Sequence, residues 1–580
     1  MNRLRIKVAG QSGSGLLSVG EILINSFKEL GYNVVADREY PSLIKGGYSC
    51  FSINVSDKEI KGLSNKADIM LSIDKESMEA YFDTLEKGGI LVHGYERLFG
   101  IKDLIEKAKK RDIKVVHQMV RSIAKEKGAS ILMTNVILTG IFWKTLGLDY
   151  NVLKKSVENK FKSKPELLEI NLRCLRAGYE SVDKIISIED FKIKLLKNKE
   201  KKIVINGNKA LALGAVHAGC RFYIAYPMSP SSSILTYFSE MSEKTGVMVK
   251  QGEDEITVAN MALGAMFMGT RALFATSGGG YDLMTETVSL AGMIENPLVG
   301  IIAQRPGPAT GLPTWTLQAD LNLAIYSSHG EFPKVVISIS DPQDAFDLIQ
   351  HAFNISEKYQ IVVLVLTEKN ICESEMTISP FKQRKILIER GLVKEEGLQN
   401  LKNIDRFRIT KNGLSKRWIP GSTDKAYYFA NGDEHDEDGS LTEDGEKCAS
   451  MYEKRMRKMD LVSKALPEPE IYGVRKGADI SFVGWGSSKN IMRDVIAIYK
   501  NKGIKVNYLH FSYLYPLKTK VLERFFNENS SVNLIEGNYQ GQLGKIIEAE
   551  VKKKFAGKLL KYNGRPFFLE DLEKFINKRI

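Results

Sequence analysis

Along this chain, short apolar runs alternate with longer stretches in which apolar residues return every three or four positions. The first kind predicts buried strands and the second amphipathic helices. At the start, 5–9 is a strand, a glycine-rich turn occupies 10–15, 16–30 is a helix and 32–36 is the next strand. Further strands fit 69–73, 89–92 and 114–116, a rhythm that predicts a mostly parallel sheet covered by helices. The lysine-rich stretch 184–203 reads as a linker. From 202 a second series begins, with strands at 221–225, 247–250, 271–276, 298–303 and 361–367. Helices at 231–242, 254–268, 281–294 and 341–358 alternate with them, which makes one doubly wound α/β domain. Between about 380 and 475 the periodicity stops, and 418–458 is polar and turn-rich, with an acidic centre at 432–439. Tyr427, Tyr428 and Phe429 in that stretch favour an ordered excursion over disorder. A third α/β unit follows, with strands at 479–483, 505–508 and 532–536 and helices at 490–500 and 542–553. The expected fold class is therefore α/β with several open, mostly parallel sheets. The expected divisions are 1–183, 184–203, 204–378, 379–475 and 476–580.

Composition narrows the function classes. A length of 580 residues with 43% hydrophobic and 26% charged content is that of a globular protein with several cores. No apolar run reaches the length of a membrane span, and the first fifteen residues lack the long apolar region of a signal peptide, so a cytoplasmic protein is expected. Five scattered cysteines, Cys50, Cys174, Cys220, Cys372 and Cys448, lack the spacing of a disulfide framework, zinc site or iron–sulfur site and read as reduced thiols. The net charge of +13 comes with no base-reading module, so no nucleic-acid partner is expected. A lysine-rich solvated surface accounts for it, with an acidic protein partner or anionic substrates as the other reading.

The candidate chemistry lies in the loops after the strands, where open α/β sheets bind ligands. The first glycine loop has the spacing G-x-x-G-x-G, not the dinucleotide pattern G-x-G-x-x-G, although Asp37 stands about where a ribose-binding acid could fall. In the second series, Tyr226-Pro227-Met228-Ser229-Pro230 follows a strand, with Ser229 expected as an N-cap and Pro230 at the first helical position. Glu253-Asp254-Glu255 opens another helix, where carboxylates suit the positive end of the dipole. Ser277-Gly278-Gly279-Gly280 implies a tight turn or a close approach to the backbone. The loop from Gln304 to Thr314 carries Arg305, whose planar fork suits a carboxylate, together with two threonines.

Taken in order, these motifs resemble a known family. YPMSPSS, EDEITVANMALGAMFMG, ATSGGGYDLMTE, AGMIENPLV and QRPGPATGLPT are similar to the alpha subunit of 2-oxoacid:ferredoxin oxidoreductases. VAGQSGSG and Lys45-Gly46-Gly47 resemble the gamma subunit, and the tail VGWGSSKNIMRDVI…LIEGNYQGQLGKIIEAE the C-terminal, transketolase-like domain of alpha. GDEHDEDG with Glu453-Lys454-Arg455 also matches, so the resemblance covers nearly the whole chain as a fused gamma–alpha subunit.

The resemblance implies a gamma domain, a pyrimidine-binding domain for thiamine diphosphate and a transketolase-like domain. It implies that Glu255 hydrogen-bonds N1′ of the aminopyrimidine and favours its imino tautomer. It assigns Ser229, Arg305 and Thr314 to the substrate, with Arg305 on its carboxylate, and Ser277 and Gly278 to the cofactor. Ser229 replaces the family's usual threonine, and Lys45 its usual arginine, which keeps the charge and loses the fork. The chain has no cysteine-cluster motif and no Gly-Asp-Gly…Asn pattern. Mg2+ and the 4Fe–4S clusters are therefore expected in a beta subunit, with an αβ heterodimer or its dimer as the working unit. The expected reaction is oxidative decarboxylation of a 2-oxoacid to an acyl-CoA, with coenzyme A as acyl acceptor and ferredoxin as electron acceptor. 2-Oxoglutarate is the first substrate guess, with pyruvate and branched-chain 2-oxoacids open. The rival readings are a nicotinamide-dependent oxidoreductase and a non-catalytic assembly subunit.

Overall fold

The computed structural model describes residues 2–13, 15–41, 47–196, 200–382 and 387–580. Lys45 and Gly46 of the Lys-Gly-Gly motif, and Ser14 of the first glycine loop, lie outside the described residues. Three open sheets form, each packed against helices.

The first sheet has the spatial order Lys114–His117, Leu85–His93, Ala67–Ser72, Leu4–Gln11, Tyr48–Ser56, Asn33–Glu39, Glu375–Ile378 and Ile203–Ile205. The first four strands are parallel to one another, and from Leu4–Gln11 onward every pairing is antiparallel. This sheet is thus parallel on one half only. Tyr48–Ser56, absent from the sequence reading, inserts between Leu4–Gln11 and Asn33–Glu39. Ile203–Ile205 and Glu375–Ile378 also belong here, so the start and the end of the second series extend the first sheet.

The second sheet runs Tyr513–Tyr515, Lys334–Ser338, Val362–Glu368, Leu298–Gln304, Ala272–Thr276, Phe222–Ala225 and Met248–Gln251. All neighbours are parallel except Tyr513–Tyr515, a strand lent by the C-terminal unit. After Phe222–Ala225 the chain steps outward to Met248–Gln251 and then back to Ala272–Thr276 on the other side. That reversal is a topological switch point, with a crevice between the carboxyl ends of Phe222–Ala225 and Ala272–Thr276. The helix expected at 281–294 is broken into Gly278–Asp282 and Thr285–Met293. The third sheet has the order Glu470–Gly473, Val506–Phe511, Ile480–Trp485, Val532–Glu536 and Gly557–Leu560.

The stretch from 387 to 475 is ordered around buried charge. Its main element is the 21-residue helix Gly445–Ala465, which the sequence reading left within an irregular segment. The reason is physical: much of its buried face is Lys454, Arg455 and Lys458, so little apolar periodicity advertises it. Lys454 and Lys458 both pair with Glu295, which is itself fully buried. A second buried carboxylate, Glu357, receives Arg271 at 2.6 Å and Arg390 at 2.8 Å, with Arg417 at 3.7 Å. These ion pairs hold the excursion against the second sheet's helices. Of the cysteines, Cys50, Cys174, Cys220 and Cys372 are buried free thiols and Cys448 is half-buried. Among the described residues, no helix is long and apolar enough to cross a membrane.

Candidate active site

The loops that leave the second sheet at its switch point meet one another around the glycine turn that packs against Glu255. Asp254 caps the helix Glu255–Phe267 by accepting from the Thr257 N–H at 2.8 Å. With the cap supplied by its neighbour, Glu255 turns inward and is 4% exposed. Its Oε1 takes no hydrogen bond among the described residues. A buried, unsatisfied polar atom costs about 1–3 kcal/mol, and more if charged, so this oxygen is placed for a donor from elsewhere.

The glycine turn makes room for it. A Cβ on Gly280 would stand 2.7 Å from Glu255 Oε1 and 2.1 Å from Thr276 Oγ1. Thr276 Oγ1 is likewise buried without a partner among the described residues. A Cβ on Gly278 would stand 2.5 Å from Asp320 Oδ2. Gly278 and Gly280 are therefore required by packing, because side chains already fill the space a Cβ would need. Ser277 is fully buried, with its hydroxyl directed at Met228 Sδ, so what it offers a ligand is backbone.

Arg305 leaves the end of Leu298–Gln304 and donates from Nη1 to the Ser229 carbonyl at 2.9 Å. Its remaining N–H groups carry no hydrogen bond among the described residues. Burial lowers its pKa while Asp320 raises it. The role expected for Ser229 as a cap is not what forms. The helix starts at Ser232 with Ser231 at its N-cap, and Ser229 lies three residues before it, joined to Pro230 by a cis bond. The Met228 carbonyl accepts from Ser231 N, Ser232 N and Ser231 Oγ, and that turn postpones the helix. Ser229 contributes its carbonyl, which orients Arg305. Thr314 is buried with its hydroxyl unpartnered among the described residues.

The loop that holds Arg305, Thr314 and Asp320 is pinned at its far end to the third sheet. Gln318 donates to Glu368 Oε1 at 2.9 Å and to the Trp485 carbonyl at 3.0 Å, and accepts from Gly537 N at 2.7 Å. Thr316 Oγ1 donates to Glu368 Oε2 at 3.0 Å, and Asn538 donates to the Gln318 carbonyl at 2.8 Å. Glu368 is fully buried, and desolvation raises its pKa against these hydrogen bonds. Sequence reasoning missed Glu368, Gln318 and Asp320. The one signal for Glu368 was an acid at the end of a strand that opens on an apolar run, Val362 to Leu366, level with Gln304 on the neighbouring strand.

The N-terminal glycine loop follows the strand Leu4–Gln11 of the first sheet. Gly13 and Gly15 both have φ of +87°, a conformation that favours glycine. Asp37 is buried, accepts from Ser374 Oγ at 2.9 Å and faces Lys369 Nζ at 3.5 Å. Its strand is separated from Leu4–Gln11 by Tyr48–Ser56, so the ribose-binding acid of a dinucleotide site is not formed by it. Among the described residues no group of three or more His, Cys, Asp or Glu side chains could hold a metal ion.

Ile256, the residue after the buried Glu255, is 49% exposed.

The chain is similar to known proteins. Residues 213–456 match the family "Pyruvate flavodoxin/ferredoxin oxidoreductase, thiamine diP-bdg". Residues 5–181 match "Pyruvate ferredoxin/flavodoxin oxidoreductase", and 478–572 match "Pyruvate:ferredoxin oxidoreductase core domain II". The chain is 31% identical to the 2-oxoacid:ferredoxin oxidoreductase subunit alpha of a Sulfolobus species, over 100% of this chain and 97% of that one. It is 26% identical to the 2-oxoglutarate oxidoreductase subunit KorA of Mycobacterium tuberculosis, over 98% of this chain and 90% of that one. The solved 2-oxoglutarate:ferredoxin oxidoreductase from Magnetococcus marinus, with 2-oxoglutarate, coenzyme A and succinyl-CoA bound, superimposes with a TM-score of 0.90 at 27% identity, covering 100% of both chains.

Proposed function

This chain belongs to the alpha subunits of the 2-oxoacid:ferredoxin oxidoreductases, and from that premise we propose that it supplies the pyrimidine-holding half of a thiamine diphosphate site completed by a beta subunit. The observation that carries this reading is the Oε1 of Glu255 at the switch-point crevice, buried and without a partner among the described residues. That oxygen fits ring nitrogen N1′ of the pyrimidine, with which it would share a proton. The missing Cβ atoms of Gly278 and Gly280 leave room in the crevice for the carboxyl of Asp320 and for Glu255 with Thr276. When bound, thiamine diphosphate supplies the nucleophilic carbon and the electron sink for decarboxylation.

The chain's own residues then act on the substrate. Arg305, already held by the Ser229 carbonyl, has free N–H groups to take the 2-oxoacid carboxylate in a charge-assisted pair. Thr314 has a hydroxyl free to donate to the same anion. Anchoring of the loop through Gln318 and Glu368 keeps both donors in place, which is the positional precision that catalysis needs.

The balanced reaction is a 2-oxoacid plus coenzyme A and two oxidised ferredoxins, giving acyl-CoA, carbon dioxide, two reduced ferredoxins and a proton. 2-Oxoglutarate is the proposed substrate, supported by the likeness to the Magnetococcus marinus enzyme and to the mycobacterial KorA. Mg2+ and the 4Fe–4S clusters are assigned to the beta subunit. The exposed Ile256, next to Glu255, is suited to cover by such a subunit. The test is co-expression with the beta chain, then dye reduction with thiamine diphosphate and coenzyme A across 2-oxoglutarate, pyruvate and branched-chain 2-oxoacids. Reduction fastest with 2-oxoglutarate is expected, and no reduction with any of them would overturn the reading.

A further inference from the structure

Asp320 has no task in the mechanism so far. It closes the loop that begins at Arg305, and its backbone N–H donates to Gln304 Oε1 at 3.0 Å. Its carboxyl lies against the glycine turn, with Oδ2 2.5 Å and Oδ1 2.8 Å from where a Cβ of residue 278 would stand. Oδ2 is buried and has no hydrogen-bond partner among the described residues. Two charged groups act on this carboxyl through space: Arg305, from the head of its own loop, and Asp282, at the end of the short helix that the glycines begin.

We propose that Asp320 is the positioning acid that compensates the substrate's charge: when a 2-oxoacid carboxylate docks on Arg305, Asp320 takes up one proton from solvent. This rests on the reading that Arg305 receives the carboxylate. Before docking, one guanidinium faces one ionisable acid across the turn. After docking, the guanidinium is matched by the substrate, and an ionised Asp320 would be a second anion in a desolvated crevice. A buried charge without a counter-ion costs more than protonating the group near its own pKa.

Burial, with a smaller contribution from Asp282 and against the pull of Arg305, pushes the Asp320 carboxyl up to about 7 in the free site. The sign follows from linkage. Below that value the acid already carries its proton, and binding is independent of pH. Above it each docking event must bring a proton, so KM for the 2-oxoacid climbs. The rise is about ten-fold between about pH 6 and pH 8, with kcat not sharing it.

The experiment is KM and kcat of the assembled enzyme across that range, using the 2-oxoacid it turns over best. Asp320→Asn, a mimic of the protonated acid, is expected to abolish the slope and leave KM at pH 8 about ten-fold below that of the parent enzyme. Asp282→Asn, on an exposed residue, is expected to start the rise at lower pH. An Asp320→Asn enzyme that keeps the parent slope, or an Asp282→Asn enzyme with an unmoved midpoint, overturns the proposal. If Asp320→Asn does not fold, Asp282→Asn decides alone. Arg305→Gln separates the two ideas. An unchanged KM at every pH would mean that the carboxylate assignment itself failed. A raised KM beside an Asp320→Asn enzyme that keeps its slope would mean that only the proton uptake failed.

Discussion

The carboxyl of Glu255 occupies the space that a side chain on Gly280 would need, with Oε1 2.7 Å from the position of the missing Cβ. Glycine at 280 is therefore a condition for an acid at 255. Gly280→Ala is expected to push Glu255 and Thr276 off their positions, lowering kcat/KM of the assembled enzyme at least about ten-fold. Overpacking of this kind costs about 1–3 kcal/mol, which thermal melts would register. Unchanged kinetics in that variant would uncouple the turn from the acid.

Glu255→Gln keeps the shape and removes the ionisable oxygen. Turnover is expected to fall by about 10²–10⁴-fold, the usual range for a proton-transfer group, while the complex with the beta chain stays assembled by size-exclusion chromatography. Retained turnover would end the role assigned to this residue.

Arg305→Ala removes a charged donor pair from the acid end of the substrate. Hydrogen bonds to charged groups contribute about 1.5–3 kcal/mol, so KM for the 2-oxoacid is expected to rise by about ten- to a hundred-fold. KM for coenzyme A is expected to move much less. Equal effects on the two would point to a collapsed loop, which the anchoring by Gln318 argues against.

Glu295 is expected to contribute to acid stability. The ammonium groups of Lys454 and Lys458 and the nearby Arg406 hold its carboxyl well below the usual carboxylate range, against burial. A carboxylate depressed on folding stabilises at pH above its unfolded value of about 4.3, and that stability is lost as pH falls through the folded value. The melting temperature is therefore expected to fall progressively below about pH 4. Glu295→Gln leaves two lysines buried without a counter-ion and is expected to cost about 3–5 kcal/mol at neutral pH, by chemical denaturation. It should also flatten the acid limb of the melting curve, and an unaltered limb would assign acid unfolding to other groups.

The strand–helix alternation of the second and third sheets was readable because it rests on local periodicity. The loops Ser277–Gly280 and Gln304–Thr314 were readable as candidate chemistry because of their residue types. Glu255 could be picked out, as the resemblance points to it and it opens a helix. What the sequence leaves undecided depends on partners far along the chain. Ile203–Ile205 joins the first sheet because Glu375–Ile378, some 170 residues later, pairs with it. The helix Gly445–Ala465 is held by Glu295, so its buried face is cationic and carries little hydrophobic pattern. Ser229 lends Arg305 its carbonyl, an atom every residue has, and Asp320 gains its character from packing against the glycine turn and from the charges of Arg305 and Asp282. Residue order determines which side chains are available at each strand end. Desolvation and hydrogen-bond pairing, both set by long-range packing, decide which of them are left with an unsatisfied oxygen to offer a ligand.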